Sequence, residues 1–211
     1  MKILRLICSP NGKNSESFQL SQFLINEFIK SQMPNEVKVV EINTNSLPYI
    51  DSPYALALGN TVDPQGYDNG SLVESEQLIQ SLAEADCLVI ATPMHNCSIP
   101  SSLKTWIDHV VRIRHTFTTT AAGKTGTLTD KPVFILVSSG AVFSGAEARQ
   151  PDFLTPYLKM ILATIGLHNV TFFSIQGTSN IKMIFETNKL RVQDEISAYF
   201  SGELPATVCH P

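Results

Sequence analysis

Five short apolar runs punctuate the chain: Ile3 to Cys8, Val37 to Ile42, Asp86 to Ala91, Lys131 to Ser139 and Asn169 to Gly177. They are rich in β-branched and aliphatic residues and mostly lack polar alternation, the pattern of strands covered on both faces. Segments with helical spacing lie between them. Phe18, Leu20, Leu24, Ile25, Phe28 and Ile29 form one stripe that stops before Pro34-Asn35. Further helices are predicted over Leu72 to Ala85, Ser101 to about Arg112, Leu154 to Ile165, and about Thr187 to Phe200. Pro100 stands where a helix start tolerates proline.

Strand–helix alternation implies right-handed βαβ units and a parallel sheet with helices on both faces. With five strands the expected fold is a flavodoxin-like, doubly wound α/β sheet of order 2-1-3-4-5. A chain of 211 residues, 43% hydrophobic, suits a single domain spanning 1–211. Ligands of such sheets bind beyond the carboxyl ends of the strands. Here those ends carry three loops: Ser9 to Ser17, Thr92 to Ile99, and Ser138 to about Arg149. Asn43 to Gly70 is a long Pro- and Asn-dotted connection, and Thr116 to Asp130, rich in Thr and Gly, reads as a loop or short hairpin.

Composition narrows the partners. The net charge is -4 and basic residues are scattered, so no stripe suited to nucleic acid is present. Apolar runs such as Cys87 to Ala91 are far too short to span a bilayer, and the N-terminus lacks the pattern of a signal peptide. Cys8, Cys87, Cys97 and Cys209 form no CxxC pair and no His-containing zinc pattern. Scattered thiols of this kind fit a reducing cytoplasm.

The loop Cys8-Ser-Pro-Asn-Gly-Lys-Asn14-Ser15 is a near miss to the low-molecular-weight phosphotyrosine phosphatases, which it resembles in spacing. Asn14 stands where they need an Arg to clamp the phosphoryl oxygens and stabilise transition-state charge. Cys8 also continues the apolar strand, which reads as an inert buried thiol. As a cradle the loop is better equipped. Ser9, Ser15 and Ser17 offer hydroxyls, and the amides of the helix start are free to face a phosphate. Equally, Ser15 and Ser17 can serve only as helix caps. Neither GxGxxG nor GxxxxGK[ST] occurs here, so a Rossmann dinucleotide or P-loop nucleotide is disfavoured. Glu16 fits neither ligand, because its carboxylate must turn away from a phosphate.

The loop after the third strand is more specific. A tight turn at Pro93, Met94, His95, Asn96 and Cys97 offers a soft thioether and consecutive backbone amides to a flat ring with one polar edge. Gly140 and Ala141, after Ser138 and Ser139, are small enough for backbone to approach such a ring closely. On the next helix Leu103 and Trp106 share one face and read as core, and Lys104 and Asp108 as a surface pair. His109 reads as a partly buried or surface histidine, whereas His95, in the turn, can titrate near neutral pH.

Pro93-Met94-x-Asn96-x-x-Ile99-Pro100-x-x-Leu103-Lys104-x-Trp106-x-Asp108 resembles the signature of the FMN-dependent NADH-azoreductases, within the NAD(P)H:quinone reductase superfamily. Thr116-Phe117, Ser138-x-Gly140 and Leu154-Thr155-Pro156-Tyr157-Leu158 continue the match in order, and Ser9 with Ser15-x-Ser17 matches the family's phosphate loop. The resemblance implies an enzyme with non-covalent FMN. It would accept a hydride from NADH or NADPH and reduce quinones or azo compounds by two electrons, in ping-pong fashion. It implies a homodimer with FMN near the interface, Thr116 to Leu128 walling the neighbour's pocket, and no protein residue with a catalytic role in the redox step. The cofactor-binding set is Ser9, Ser15, Glu16, Ser17, Pro93, Met94, His95, Asn96, Cys97, Ser138, Ser139, Gly140 and Ala141. The chain departs from the family pattern at His95 (often Tyr), Cys97 (often Phe), Arg114 (often Gly) and Phe143 (near a frequent His or Tyr), all around the ring and substrate face. The alternative is a flavodoxin-type electron carrier. Such carriers have strongly acidic docking faces and exposed flavin edges, which the modest charge and the two long segments disfavour.

Overall fold

The computed structural model describes residues 1–59, 70–121, 123–179 and 182–203, Lys182 through its backbone only. In chain order the elements are β1 (Lys2–Ile7), α1 (Glu16–Gln32), β2 (Lys38–Asn43), α2 (Ser52–Gly59), α3 (Ser71–Ala83), β3 (Cys87–Pro93) and α4 (Ser101–Val110). Then follow β4 (Phe117–Thr120), β5 (Gly123–Gly126), β6 (Val133–Ser139), α5 (Leu154–Thr164), β7 (Val170–Gln176) and α6 (Lys182–Ser201).

A five-stranded parallel sheet runs in the order β2-β1-β3-β6-β7. This corrects the expected 2-1-3-4-5. Thr116 to Asp130 contributes two strands of its own, β4 and β5, paired antiparallel outside the large sheet. They enter the chain order between the third and fourth strands of that sheet. The hairpin packs closely on the turn after α5: a Cβ on Gly126 would overlap the Gly166 backbone, 2.5 Å from its Cα.

Period-two alternation on the strands divides the core into two layers. Leu4, Leu6, Leu88, Ile90, Val133 and Ile135 pack with Leu82, Leu103, Trp106 and Leu158, under α3, α4 and α5. Ile3, Cys87, Val89, Phe134 and Leu136 face the other way, against Leu20 and Leu24 of α1 and Val192 and Ile196 of α6. Leu103 and Trp106 are core, as their shared face predicts. A charged residue interrupts the buried run of β1. Arg5 is 4% exposed, its guanidinium 4.2 Å from the Phe18 ring centroid and paired with Glu41 of β2.

Helix starts and stops follow local chemistry. The Ser15 hydroxyl accepts from Phe18 N–H to cap α1, and Met33 at φ 44 ends that helix ahead of Pro34. Part of the long connection is helical: Asp51 Oδ1 accepts from Tyr54 N–H at 2.9 Å to begin α2. Tyr54 is buried, and its hydroxyl donates to Asp108 O at 2.8 Å, fixing α2 to α4. Residues 60–69 of that connection, and Cys209, lie outside the described residues. The last helix begins at Lys182 instead of near Thr187. Its first turn carries exposed Met183 and Ile184, which break the buried stripe that marks a helix in sequence.

Candidate functional site

Parallel register aligns the carboxyl ends of three neighbouring strands. Ile7 pairs with Ala91, and Pro93 with Ser138. The loops carrying Ser9 to Ser17, Pro93 to Cys97 and Ser138 to Ala141 therefore leave the same edge side by side.

The first loop folds back at once. Gly12, at φ 54, heads a short 3-10 turn, Gly12–Asn14, and its N–H donates to Ser9 O at 3.0 Å. Ser9 Oγ accepts from Asn11 N–H at 3.2 Å. Ser15 Oγ donates to Gly12 O at 2.7 Å and stands 3.5 Å from Ser17 Oγ, with both residues buried. The α1 amides of Glu16 and Ser17 stand at the helix start, where no intrahelical acceptor is available to them. Glu16 turns away, and its carboxylate pairs with Lys189 of α6 at 3.0 Å. That ion pair accounts for an acidic residue at the start of α1.

Cys8 is fully buried. Burial pushes its thiol up to about 12, against the opposing hydrogen bonds of Thr44 and Thr92. A thiol so far from ionisation is no nucleophile, which removes the phosphatase chemistry from the loop. Lys13 of the loop reaches Glu41 of β2 at 2.6 Å. Burial alone would raise the Glu41 carboxyl, but hydrogen bonds and charge from Lys13 and Arg5 outweigh it and hold it below the usual range.

The second loop is a two-residue reverse turn. His95 and Ser98 exchange backbone hydrogen bonds of 2.9 and 3.0 Å, and between them Asn96 and Cys97 take φ 48 and 65. Two successive left-handed residues define a type I′ turn. Among the described hydrogen bonds the Asn96 and Cys97 amides have no acceptor, so both are free at the turn's outer edge. Asn tolerates this conformation; Cys at the second position is strained. Met94 N–H donates to Ser138 O at 2.8 Å, and the Met94 side chain enters the core layer beside Phe143 and Trp106. His95 is exposed and Cys97 half-buried.

In the third loop Ser138 is half-buried, Ser139 buried, and Gly140 and Ala141 are exposed. A Cβ on Gly140 would stand 2.7 Å from Ser179 Oγ, so the close neighbour of this glycine is the chain after β7. Phe143 is buried, and its N–H donates to Gln176 Oε1 at 2.8 Å, so its ring joins the core. Beyond it a cavity of about 300 Å³, lined partly by Phe143, Ser144, Gln176 and Arg191, runs from the third loop along β7 and takes no lining residue from the first two loops.

His109, expected to be partly buried or at the surface, is fully buried: its Nε2 lies 2.8 Å from Pro48 O and its ring packs edge-on against Tyr54. Lys104 and Asp108 form the surface pair that their spacing predicts, at 2.5 Å. Several residues that brace the site were not singled out in the sequence. Asn45 Nδ2 donates to Ser9 O at 3.1 Å, and Ser102 Oγ to Cys8 O at 2.9 Å. The run Asn43-Thr44-Asn45 directly after a strand is a signal that could have located the first of these. Nothing local marks Lys189 or Gln150.

The sheet topology, with loop residues gathered at the carboxyl ends of β1, β3 and β6, defines a flavodoxin-like protein. A family model described by its flavodoxin-like fold matches residues 1–196, and the chain belongs to that family. It is 42% identical over 175 residues to FMN-dependent NADH:quinone oxidoreductase 4 of Pseudomonas fluorescens, covering 83% of this chain and 84% of that one. It is 41% identical over 177 residues to FMN-dependent NADH:quinone oxidoreductase 5 of Burkholderia lata, covering 84% and 85%. Among solved structures, an azoreductase from Bacillus anthracis superposes with a TM-score of 0.80 at 21% identity, over 96% of this chain and 99% of that one. An FMN-dependent NADH-azoreductase from the same species, in complex with FMN, gives 0.75 at 21% identity over the same shares. At that identity the structural likeness shows the fold.

Proposed function

We propose that the protein is an FMN-dependent oxidoreductase that oxidises NADH and reduces a quinone by two electrons, with azo compounds as further acceptors. Support comes from relatives more than 40% identical over four-fifths of the chain, whose names carry that cofactor and reaction. The observation that carries the assignment is the free-amide type I′ turn at Asn96-Cys97 standing beside an anion cradle on the neighbouring strand. FMN has a phosphate at one end and a flat ring with a polar edge at the other, so the two features fit its two ends.

Ser9 and the Glu16 and Ser17 amides hold the phosphate, with the Ser15 hydroxyl turning from Gly12 O toward it. The Asn96 and Cys97 amides hold the ring's polar edge, and the Pro93–Met94 and Ser138–Ala141 segments bound its face and side. His95 lies at the exposed mouth. When bound, FMN would supply the hydride chemistry between the nicotinamide and the acceptor. Hydrogen bonds to the ring edge favour its electron-rich reduced form. The chain works as a single domain in the cytoplasm and as a homodimer, with the β4–β5 hairpin next to the partner's site.

The test is the visible spectrum of the purified protein. Oxidised-flavin bands that bleach on addition of NADH, and steady-state NADH oxidation with menadione, are the expected results. A colourless protein that cannot be loaded with FMN refutes the proposal.

A further inference from the structure

Gln150 lies outside the three loops, yet it grips two of them. Its Nε2 donates to Met94 Sδ and to Ser139 Oγ, each at 3.1 Å. Ser139 Oγ stands 3.9 Å from the same sulfur, in donor geometry. Three residues on, Phe153 N–H donates to Cys97 O at 3.0 Å. Between them Asp152 Oδ1 accepts from the Leu154 and Thr155 amides at 2.9 Å and anchors the start of α5. Gln150 to Phe153 thus form a short strap that holds the type I′ turn at Met94 on one side and at Cys97 on the other.

Two features of that turn need such a strap. A left-handed Cys persists only where the surroundings over-determine it. Methionine has three rotatable bonds, so packing alone does not fix the direction of its sulfur lone pairs, whereas N–H donors do. We propose that Gln150 is a positioning residue for the flavin ring, acting through Met94 and Ser139; this rests on the FMN assignment above. It fixes the ring-binding turn and keeps the Met94 lone pairs engaged away from the ring. Released, those lone pairs would face a ring that becomes electron-rich on reduction and would oppose it.

The experiment compares Gln150→Leu, similar in size but without N–H donors, with the native chain, and repeats the pair in a Met94→Leu background. In the apoprotein, the Met94 methyl resonance of methyl-13C-methionine-labelled chains, assigned by its loss in Met94→Leu, should move or broaden in Gln150→Leu. FMN affinity should fall about fivefold, the net worth of one hydrogen bond, and the midpoint potential of bound flavin should become more negative. Both differences should shrink in the Met94→Leu background, where only the Ser139 contact remains. A Met94 resonance, affinity and potential indifferent to Gln150 overturn the proposal, as do equal losses with and without Met94. A native chain that takes up no FMN refutes the cofactor assignment and the flavin role with it; a Met94 resonance that ignores Gln150 refutes the positioning step alone.

Discussion

Glu41→Gln tests how the cradle is held. The Glu41 carboxylate bridges two cations: Arg5 of β1, whose side chain is 5% exposed, and Lys13 of the cradle turn, 65% exposed. Removing one partner of a fully buried pair costs about 3–5 kcal/mol, because the remaining charge is stranded. Two observations lower that figure. The Glu41 side chain is 27% exposed, and Arg5 keeps Gln22 Oε1 at 2.9 Å, Ser21 Oγ at 3.4 Å and the Phe18 ring. The exposed Lys13 arm is worth about 0–1 kcal/mol. We expect a loss of about 2 kcal/mol near pH 7, read by urea denaturation, with Lys13→Met accounting for the smaller part. The pH dependence follows from the sign of the shift. Glu41 titrates lower in the folded chain than its ordinary value of 4.5, so its contribution is full above that value and is lost as pH falls through the folded one. The gap between native and Glu41→Gln chains should therefore close only in acid. A gap that stays constant from neutral pH into the acid range, or no gap at neutral pH, refutes the reasoning.

Ser15→Ala should cost about 1 kcal/mol of stability by uncapping α1, measured in urea without cofactor. Combined with Ser17→Ala it should weaken FMN retention about tenfold or more, since the Ser15 hydroxyl's hydrogen bond to a charged phosphate is worth about 1.5–3 kcal/mol; unchanged FMN affinity would make both serines helix residues only. With Cys8 and Cys87 both pushed up to about 12 by burial, neither should react with a disulfide reagent in the native chain at mildly alkaline pH. In a Cys209→Ser chain half-buried Cys97 should be the thiol that the reagent labels, and fast labelling of Cys8 would refute the placement. Gly126→Ala should destabilise by about 3 kcal/mol, because its Cβ would overlap Gly166 backbone atoms, the Cα at 2.5 Å, that no side-chain rotation can clear. A thermal midpoint equal to the native chain's would show that the hairpin shifts freely.

The sheet was legible because doubly covered strands carry their own signal: Cys87 to Ala91 and Val133 to Val137 are buried throughout and read so from sequence. The strand order was not, since Thr116 to Asp130 read as either a loop or a short hairpin, and it is the hairpin, whose two strands enter the chain order. Phe117–Thr120 pairs with Gly123–Gly126 although only Phe117 is buried. The three loops were legible as a set because strand ends fix them. Their bracing was not. Glu16 to Lys189 and Gln150 to Met94 join residues far apart in sequence, and only the docking of α6 on α1 and of the strap on β3 brings them within reach. The full burial of His109 was missed for a related reason: its ring nitrogen pairs with a backbone carbonyl in the long connection, at Pro48.

Cys97 and Arg114 share one backbone feature, a positive φ. Arg114 takes φ 70, in the region that favours the glycine of the family pattern, and Cys97 takes φ 65 at a turn position where glycine is likewise preferred. A left-handed L-residue costs about 1–2 kcal/mol, so each conformation must be imposed from outside. Arg114 N–H donates to Phe117 O at 2.8 Å and its guanidinium to Ala57 O at 3.3 Å, tying the hairpin to α2. Cys97 O is held by Phe153 N–H, and the turn closes through His95 and Ser98. In both places the backbone path is set by the neighbours and not by the residue on it. Side chains at the turn and hairpin can then vary while the Asn96 and Cys97 amides stay where they are.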